Sequence, residues 1–183
     1  MKKLDIGCGT NKVEGCIGLD FHKVKGVDVV HDLNKIPYPF KDNTFDEIYA
    51  NHILEHLTIP LDDILSELCR ITKPKGKLKI RVPHALSVGA FTDPTHVKFF
   101  AYFTFDYFGS NVQSYYTKAR VKIIKRRFIY EVGNLSSKLL KPMEFLVNLF
   151  PLIYTNFFAF IFPTSSIYFE LEPIKTKKVK AKK

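Results

Sequence analysis

The sequence predicts an open, mostly parallel α/β sheet, and three observations carry that expectation. Seven apolar segments rich in Ile, Val, Phe or Tyr recur along 183 residues, each bounded by Gly, Pro, Asp or Asn. Helix-period segments fall between several of them, the arrangement that builds parallel sheets. A Gly-Cys-Gly turn at 7–9 directly follows the first apolar segment, at the carboxyl edge where such sheets bind ligands.

Taken in order, the strand-like segments are 3–6, 16–19, 27–31, 45–50, 77–82, 120–130 and 167–172. The clearest helix is 60–72, because Ile64, Leu65, Leu68 and Ile71 share one face and the Lys-Pro-Lys-Gly run at 73–76 stops it. A second, crowded with aromatics, is expected over 95–108, with Asp93 and Pro94 as its start signal and most of its aromatics in the core. The connections 7–15 and 20–26 are too short for full crossover helices, so any helices after strands one and two are vestigial. One face of the first half of the sheet then needs another cover. The candidate is 142–163, with its stripe of Phe145, Leu149, Ile153, Phe157 and Phe160. Glu144, Asn148, Pro151 and Asn156 interrupt it as a membrane span. A helical pair packed on the sheet or in a homodimer interface is the expectation, with peripheral membrane contact as the alternative.

The length and 46% hydrophobic content suit one domain, 1–174, including an apolar helical insert at 133–164. The formal charge of +10 divides into +6 for the Lys-rich segment 175–183, expected to be a solvated tail, and +4 for the rest. Nucleic acid is a partner this balance permits and does not favour. Cys8, Cys16 and Cys69 are odd in number, without metal-ligand or disulfide spacing, and the first residues carry no secretory apolar core. A reducing, cytoplasmic location is expected.

Gly7 and Gly9 allow a sharp turn and a close approach to a ligand, and Asp20, ending the next strand, can accept hydrogen bonds from ribose hydroxyls. A dinucleotide fingerprint needs a third glycine where Lys12 stands and a helix to hold pyrophosphate. A nucleoside-bearing cofactor other than NAD or FAD follows.

The stretches LDIGCGT, GLD, VVHDLN, IPYPFKDNTFDEIYANHILEHL, ELCRITKPKGKLKIRVP and DPTHVKFFAYFTFDYF occur here in that order. Together they resemble a class I S-adenosylmethionine-dependent methyltransferase, most like the small type 11 group reading HVLEH after the fourth strand. The resemblance covers about residues 3 to 108 and extends more loosely to 172. It implies a Rossmann-like, seven-stranded sheet in the order 3-2-1-4-5-7-6 with strand 7 antiparallel. It also implies S-adenosyl-L-methionine as cofactor, with Asp5, Gly7 and Gly9 flanking its methionine part and Asp20 on the ribose. Asp32 and Leu33 would meet the adenine, and Asn51 would lie near the amino-acid end. A small-molecule or glycan-type acceptor is expected. A non-catalytic cofactor-binding protein and an RNA methyltransferase using the basic tail are the alternatives. No Asn-Pro-Pro element follows the fourth strand, which disfavours nucleobase nitrogen methylation.

His52, His84 and His96 are the candidate catalytic residues, each expected at the carboxyl edge of the sheet. A neutral imidazole near pH 7 suits deprotonation of a hydroxyl or an ammonium acceptor. His56 is expected to be structural. His52, Glu55 and His56 also spell an inverted zinc-peptidase signature, but that motif needs a long helix and Pro60 follows too soon. No metal is expected from it.

Overall fold

A computed structural model describes residues 1–110, 115–131 and 140–175. Its frame is one seven-stranded sheet: β1 (Lys3–Ile6), β2 (Cys16–Asp20), β3 (Val29–Val30), β4 (Phe45–Asn51), β5 (Thr72–Pro83), β6 (Val121–Ile129) and β7 (Ser166–Pro173). The order across the sheet is β3-β2-β1-β4-β5-β7-β6, and β7 runs antiparallel to β5 and β6 while the other pairs are parallel. This is the Rossmann-like class I methyltransferase topology that the sequence implied.

Helix α1 (Leu61–Ile71) buries the expected face, Ile64, Leu65, Leu68 and Ile71, against Leu4, Ile48, Leu78 and Ile80 of the sheet. It ends at Ile71, and β5 starts at once. The Lys-Pro-Lys-Gly run lies inside a bulged strand start, where Lys75 has φ 64° and the β4 register shifts between Phe45 and Glu47. The ammonium of Lys175 donates to the carbonyls of Cys69 and Thr72, so the first lysine of the expected tail caps this helix end. The remainder of that tail, 176–183, and the first part of the expected insert, 133–139, lie outside the described residues.

Three expectations are corrected. The third strand is two residues long, not five. The helix expected over 95–108 does not form. Its backbone groups bond elsewhere: Val97 and Lys98 donate to the Glu55 carbonyl, Phe100 bridges His84, and only Thr104–Phe108 closes as a 3-10 turn. Asp93 follows the short α2 (Gly89–Thr92) instead of starting a helix, and its Oδ1 accepts the Thr95 amide at 2.8 Å. The aromatics still supply core, since Phe100, Tyr102, Phe105 and Phe108 are buried, but Phe99, Phe103 and Tyr107 are not.

The third correction concerns what covers the first half of the sheet. No helix follows β1 or β2, and Gly18 of β2 explains how the sheet tolerates that. A Cβ at Gly18 would meet the Gly26 carbonyl at 2.6 Å and Cys8 Sγ and Lys12 Cδ at 2.8 Å. The two loops therefore close directly onto a strand position without a side chain. Asp28 pins them, its Oδ2 accepting the Gly18 amide and the Lys12 ammonium, each at 2.7 Å. Lys12, which breaks the dinucleotide fingerprint, thus does the work of a missing helix.

The segment 142–163 packs at the opposite edge. Helix α3 (Lys141–Leu149) runs on through Pro151–Ile153 into a π turn, Tyr154–Phe158. Asn148 Oδ1 accepts the Phe128 amide and its Nδ2 donates to the Phe128 carbonyl, both at 2.9 Å, which pairs the exposed edge of β6.

Candidate active site

The carboxyl ends of β1, β2 and β4 form a cradle. Gly7 and Gly9 both have positive φ, 63° and 48°. Gly7 needs its lack of a side chain, because a Cβ there would come 2.4 Å from Ile53 Cγ1. Asp20 Oδ2 accepts the Gly9 amide at 2.9 Å and Oδ1 the His22 amide at 3.0 Å, which fixes the carboxylate and leaves each oxygen a second lone pair. A cavity of about 380 Å³ opens beside it, lined by Asp20, Phe21, Asp32, Leu33, Asn34, Ile53, His56 and Leu57.

The cradle suits a nucleoside of the kind S-adenosylmethionine carries. Asp20 offers acceptors for a ribose diol, Asp32 one for an exocyclic amine, and Leu33, Ile53 and Phe21 offer apolar surface for a base. Asp5, Gly7, Gly9 and Asn51 are not among the lining residues. Asp5 is buried, and its Oδ2 accepts the Val13 amide at 2.8 Å, so it shapes the 7–15 loop. Burial pushes its carboxyl above the usual aspartate value, against that hydrogen bond. Asn51 is half-buried at the end of β4, in register with Arg81.

A second cavity, about 330 Å³, shares His56 with the first and is lined by His52, Glu55, Pro83, Gly89, Asp93, His96, Glu131, Ser165 and Ser166. His52 directly follows β4 and has φ 51°, a left-handed conformation that costs a residue with a Cβ about 1 kcal/mol. Its amide donates to the Arg81 carbonyl at 2.8 Å, which holds it there. Its Nε2 stands 3.3 Å from Glu131 Oε2 and its Nδ1 3.3 Å from Glu55 Oε1. Glu131, and after it Glu55, raise the imidazole to about 9. His52 is therefore an imidazolium at neutral pH, which corrects the expected neutral base. Burial would raise Glu131, but His52, Ser166 and Arg81 outweigh it and hold the carboxyl at about 2.

Glu131 escaped the sequence reading, as did its partners Arg81 at 3.0 Å and Ser166 at 2.7 Å. Nothing local marks Glu131; the β6–β7 pairing delivers it across the sheet.

His84 does not reach this cavity. It is buried against Phe128, its Nδ1 lies 3.2 Å from the Thr164 hydroxyl, and burial lowers it to about 4. A catalytic part for His84 is thereby set aside. His96 does line the cavity. Its Nδ1 lies 2.9 Å from the Ala90 carbonyl, which can only accept, so Nδ1 is the donor and Nε2 is the nitrogen that carries the lone pair in the neutral ring.

Residues 4–80 match the family model described as a methyltransferase domain. No curated protein matches the chain. Among solved structures, it is similar to a SAM-dependent methyltransferase from Archaeoglobus fulgidus, with 21% identity, 93% of this chain and 85% of that one covered, and a TM-score of 0.61. An S-adenosylmethionine-dependent methyltransferase from Mesorhizobium loti shares 11% identity over 93% of this chain and 90% of its own, with a TM-score of 0.58. The [4+2]-cyclase SpnF shares 16% identity over 93% and 73%, with a TM-score of 0.57. The shared fold thus carries more than one reaction.

Proposed function

We propose that this chain, whose residues 4–80 match the family model of a methyltransferase domain and whose fold is that of S-adenosylmethionine-dependent methyltransferases, transfers a methyl group to a hydroxyl-bearing small-molecule or glycan-type acceptor. One observation carries the reading: the cradle with its Asp20 and Asp32 carboxylates adjoins a polar cavity lined by His52, His96 and Glu131, and His56 lies on both.

Bound in the cradle, S-adenosylmethionine would supply an electrophilic methyl group. Asp20, fixed by the Gly9 and His22 amides, would hold its ribose and Asp32 its adenine. Transfer from a sulfonium is an in-line displacement, so alignment of the two cavities supplies much of the acceleration. The residues on the acceptor side divide the remaining work. His52, charged and with its two ring nitrogens facing Glu131 and Glu55, would set a fixed positive charge beside an acceptor oxygen. His96, whose Nδ1 bonds the Ala90 carbonyl, lines this cavity and would take an acceptor proton at Nε2.

Calorimetric titration with S-adenosylmethionine and S-adenosylhomocysteine, with NAD as control, tests the reading. Micromolar binding of the first two, weakened about tenfold or more in Asp20→Ala, supports it. Binding without turnover of any hydroxylated acceptor, and without effect of His96→Ala on turnover, would favour the non-catalytic alternative.

We also propose that the exposed apolar surface of α3 and the turns after it docks on an anionic membrane. Helix α3 is inside out: Glu144 and Asn148 bond inward to β6, while Phe145 and Leu149 are 66% and 53% exposed. No charged residue occurs from 145 to 163, and Leu152, Ile153, Phe157 and Phe160 are exposed too. Exposed Lys122, Lys125 and Arg127 of β6 and Lys141 supply the cations that anionic headgroups attract. No helix among the described residues is long and apolar enough to cross a membrane. Co-sedimentation with phosphatidylglycerol vesicles, weakened in Phe145→Ser and Phe157→Ser, supports docking. A salt-stable dimer that ignores vesicles would overturn it.

A further inference from the structure

We infer that Glu55, His56 and His96 form a binding site for a divalent transition-metal ion in the acceptor cavity. One ligand atom from each lies within 4.8 Å of the others, and the two imidazole centroids are 4.7 Å apart. Two independent features of the side chains show that they are prepared for a cation and not merely close.

The first is Glu55. It is 1% exposed, and neither carboxylate oxygen receives a hydrogen bond among the described residues. His52 Nδ1, 3.3 Å from Oε1, is in ion-pair range but outside hydrogen-bond geometry. A buried carboxylate without hydrogen bonds costs several kcal/mol unless something positive approaches it. A dication there completes a compensation that His52 gives only in part.

The second is the state of the two histidines. His96 Nδ1–H donates to the Ala90 carbonyl, as described above. His56 Nδ1 lies 2.8 Å from Thr95 Oγ1, and that hydroxyl lies 2.6 Å from Asp93 Oδ1. A carboxylate can only accept, so the Thr95 proton goes to Asp93 and Thr95 must accept from His56 Nδ1. In the neutral form each imidazole therefore carries its proton on Nδ1 and its lone pair on Nε2, and each is oriented through Nδ1 by an oxygen. Metal-bound histidines are held in this way. The Asp-Pro-Thr-His stretch, which does not start a helix, supplies both an orienting chain and a ligand.

Two imidazoles and one carboxylate suit Zn²⁺, Fe²⁺, Co²⁺ or Mn²⁺, with open coordination positions facing the cavity. Ligands of one tetrahedral ion stand about 3.4 Å apart, so the cluster closes by small side-chain rotations. This deepens the proposed function and rests on it in one respect: an ion here would meet an acceptor's oxygen atoms, which selects acceptors with hydroxyl or carbonyl groups in chelating positions. It would also take His96 Nε2 as a ligand and hand the task of activating the hydroxyl to the ion.

The test reads metal alone, with neither cofactor nor acceptor present. Untagged, chelator-treated protein is titrated with Co²⁺ while its visible d–d absorption is followed, then with Zn²⁺ in competition. The expected result is one equivalent of Co²⁺ bound with micromolar or tighter affinity and displaced by Zn²⁺. His96→Ala, His56→Ala and Glu55→Gln should each weaken it about a hundredfold. Thermal melts establish that each variant is folded. Failure to bind Co²⁺, or binding unchanged in folded His96→Ala and Glu55→Gln, overturns the site. Because cofactor binding is measured separately at Asp20, either result leaves the methyltransferase reading standing or falling on its own test.

Discussion

His52 and Glu131 meet at 3.3 Å, joining the residue that follows β4 to the second residue after β6. Glu131 is held in turn by Arg81 and Ser166, so the contact fixes the acceptor side of the site to the antiparallel half of the sheet. Glu131→Gln keeps the shape and removes the charge. The expected outcome is a folded protein with unchanged cofactor affinity and a kcat at least about tenfold lower, from loss of alignment at His52. Steady-state kinetics beside calorimetry checks this; a kcat within twofold of the parent would deny Glu131 a part in transfer.

Gly18 is where the two loops that replace helices touch the sheet. Gly18→Ala places a methyl group 2.6 Å from a backbone carbonyl, so the loops must move. A loss of roughly 1–3 kcal/mol in urea unfolding is expected, with weaker cofactor binding because the 7–15 loop carries Gly9. Gly89→Ala, with only Ser87 Oγ near at 3.9 Å, serves as a tolerated comparison.

His84 makes stability depend on pH. Its folded value is about 4 against 6.5 for the free side chain, so between these values the unfolded chain binds a proton that the folded one refuses. Its contribution is complete above pH 6.5 and falls as the solution is acidified toward 4, by roughly 3 kcal/mol at most. Urea unfolding at pH 7.5 and 5.0 measures the loss. His84→Asn, which can still hydrogen-bond Thr164, should show a smaller loss than the parent, and an equal one would refute the assignment.

Asn148 closes the β6 edge with two hydrogen bonds to Phe128 and a third, at 2.7 Å, to the Glu144 carbonyl. Asn148→Ala orphans backbone groups and should destabilise the protein by about 1–3 kcal/mol. Asn156→Ala, at an exposed position whose side chain bonds only within its own turn, should stay within about 0.5 kcal/mol. If the two variants unfold alike, α3 is not anchored through Asn148.

The sequence by itself determined what depends on neighbours along the chain. Strand periodicity placed five of seven strands to within a residue at each end, the apolar face of α1 followed from a spacing of three and four, and the residue types of Gly7, Gly9 and Asp20 marked a ligand-binding turn, while Asp32 and Leu33 were named by the family resemblance alone. The tertiary structure decided whatever depends on contacts across the sheet. The aromatic stretch 95–108 looked helical, yet its amides found the Glu55 carbonyl and other partners. Segment 142–163 had the stripe of a covering helix, yet it bonds through its polar residues to β6, because Asn148 and Glu144 match an unpaired strand edge. The charge of His52 follows from Glu131, 79 positions away, and that of His84 from its burial beside Phe128. Glu131 reaches His52 only because β6 and β7 pair antiparallel. A side chain's charge is set by the field and solvent around it, and those exist only once distant segments are packed together.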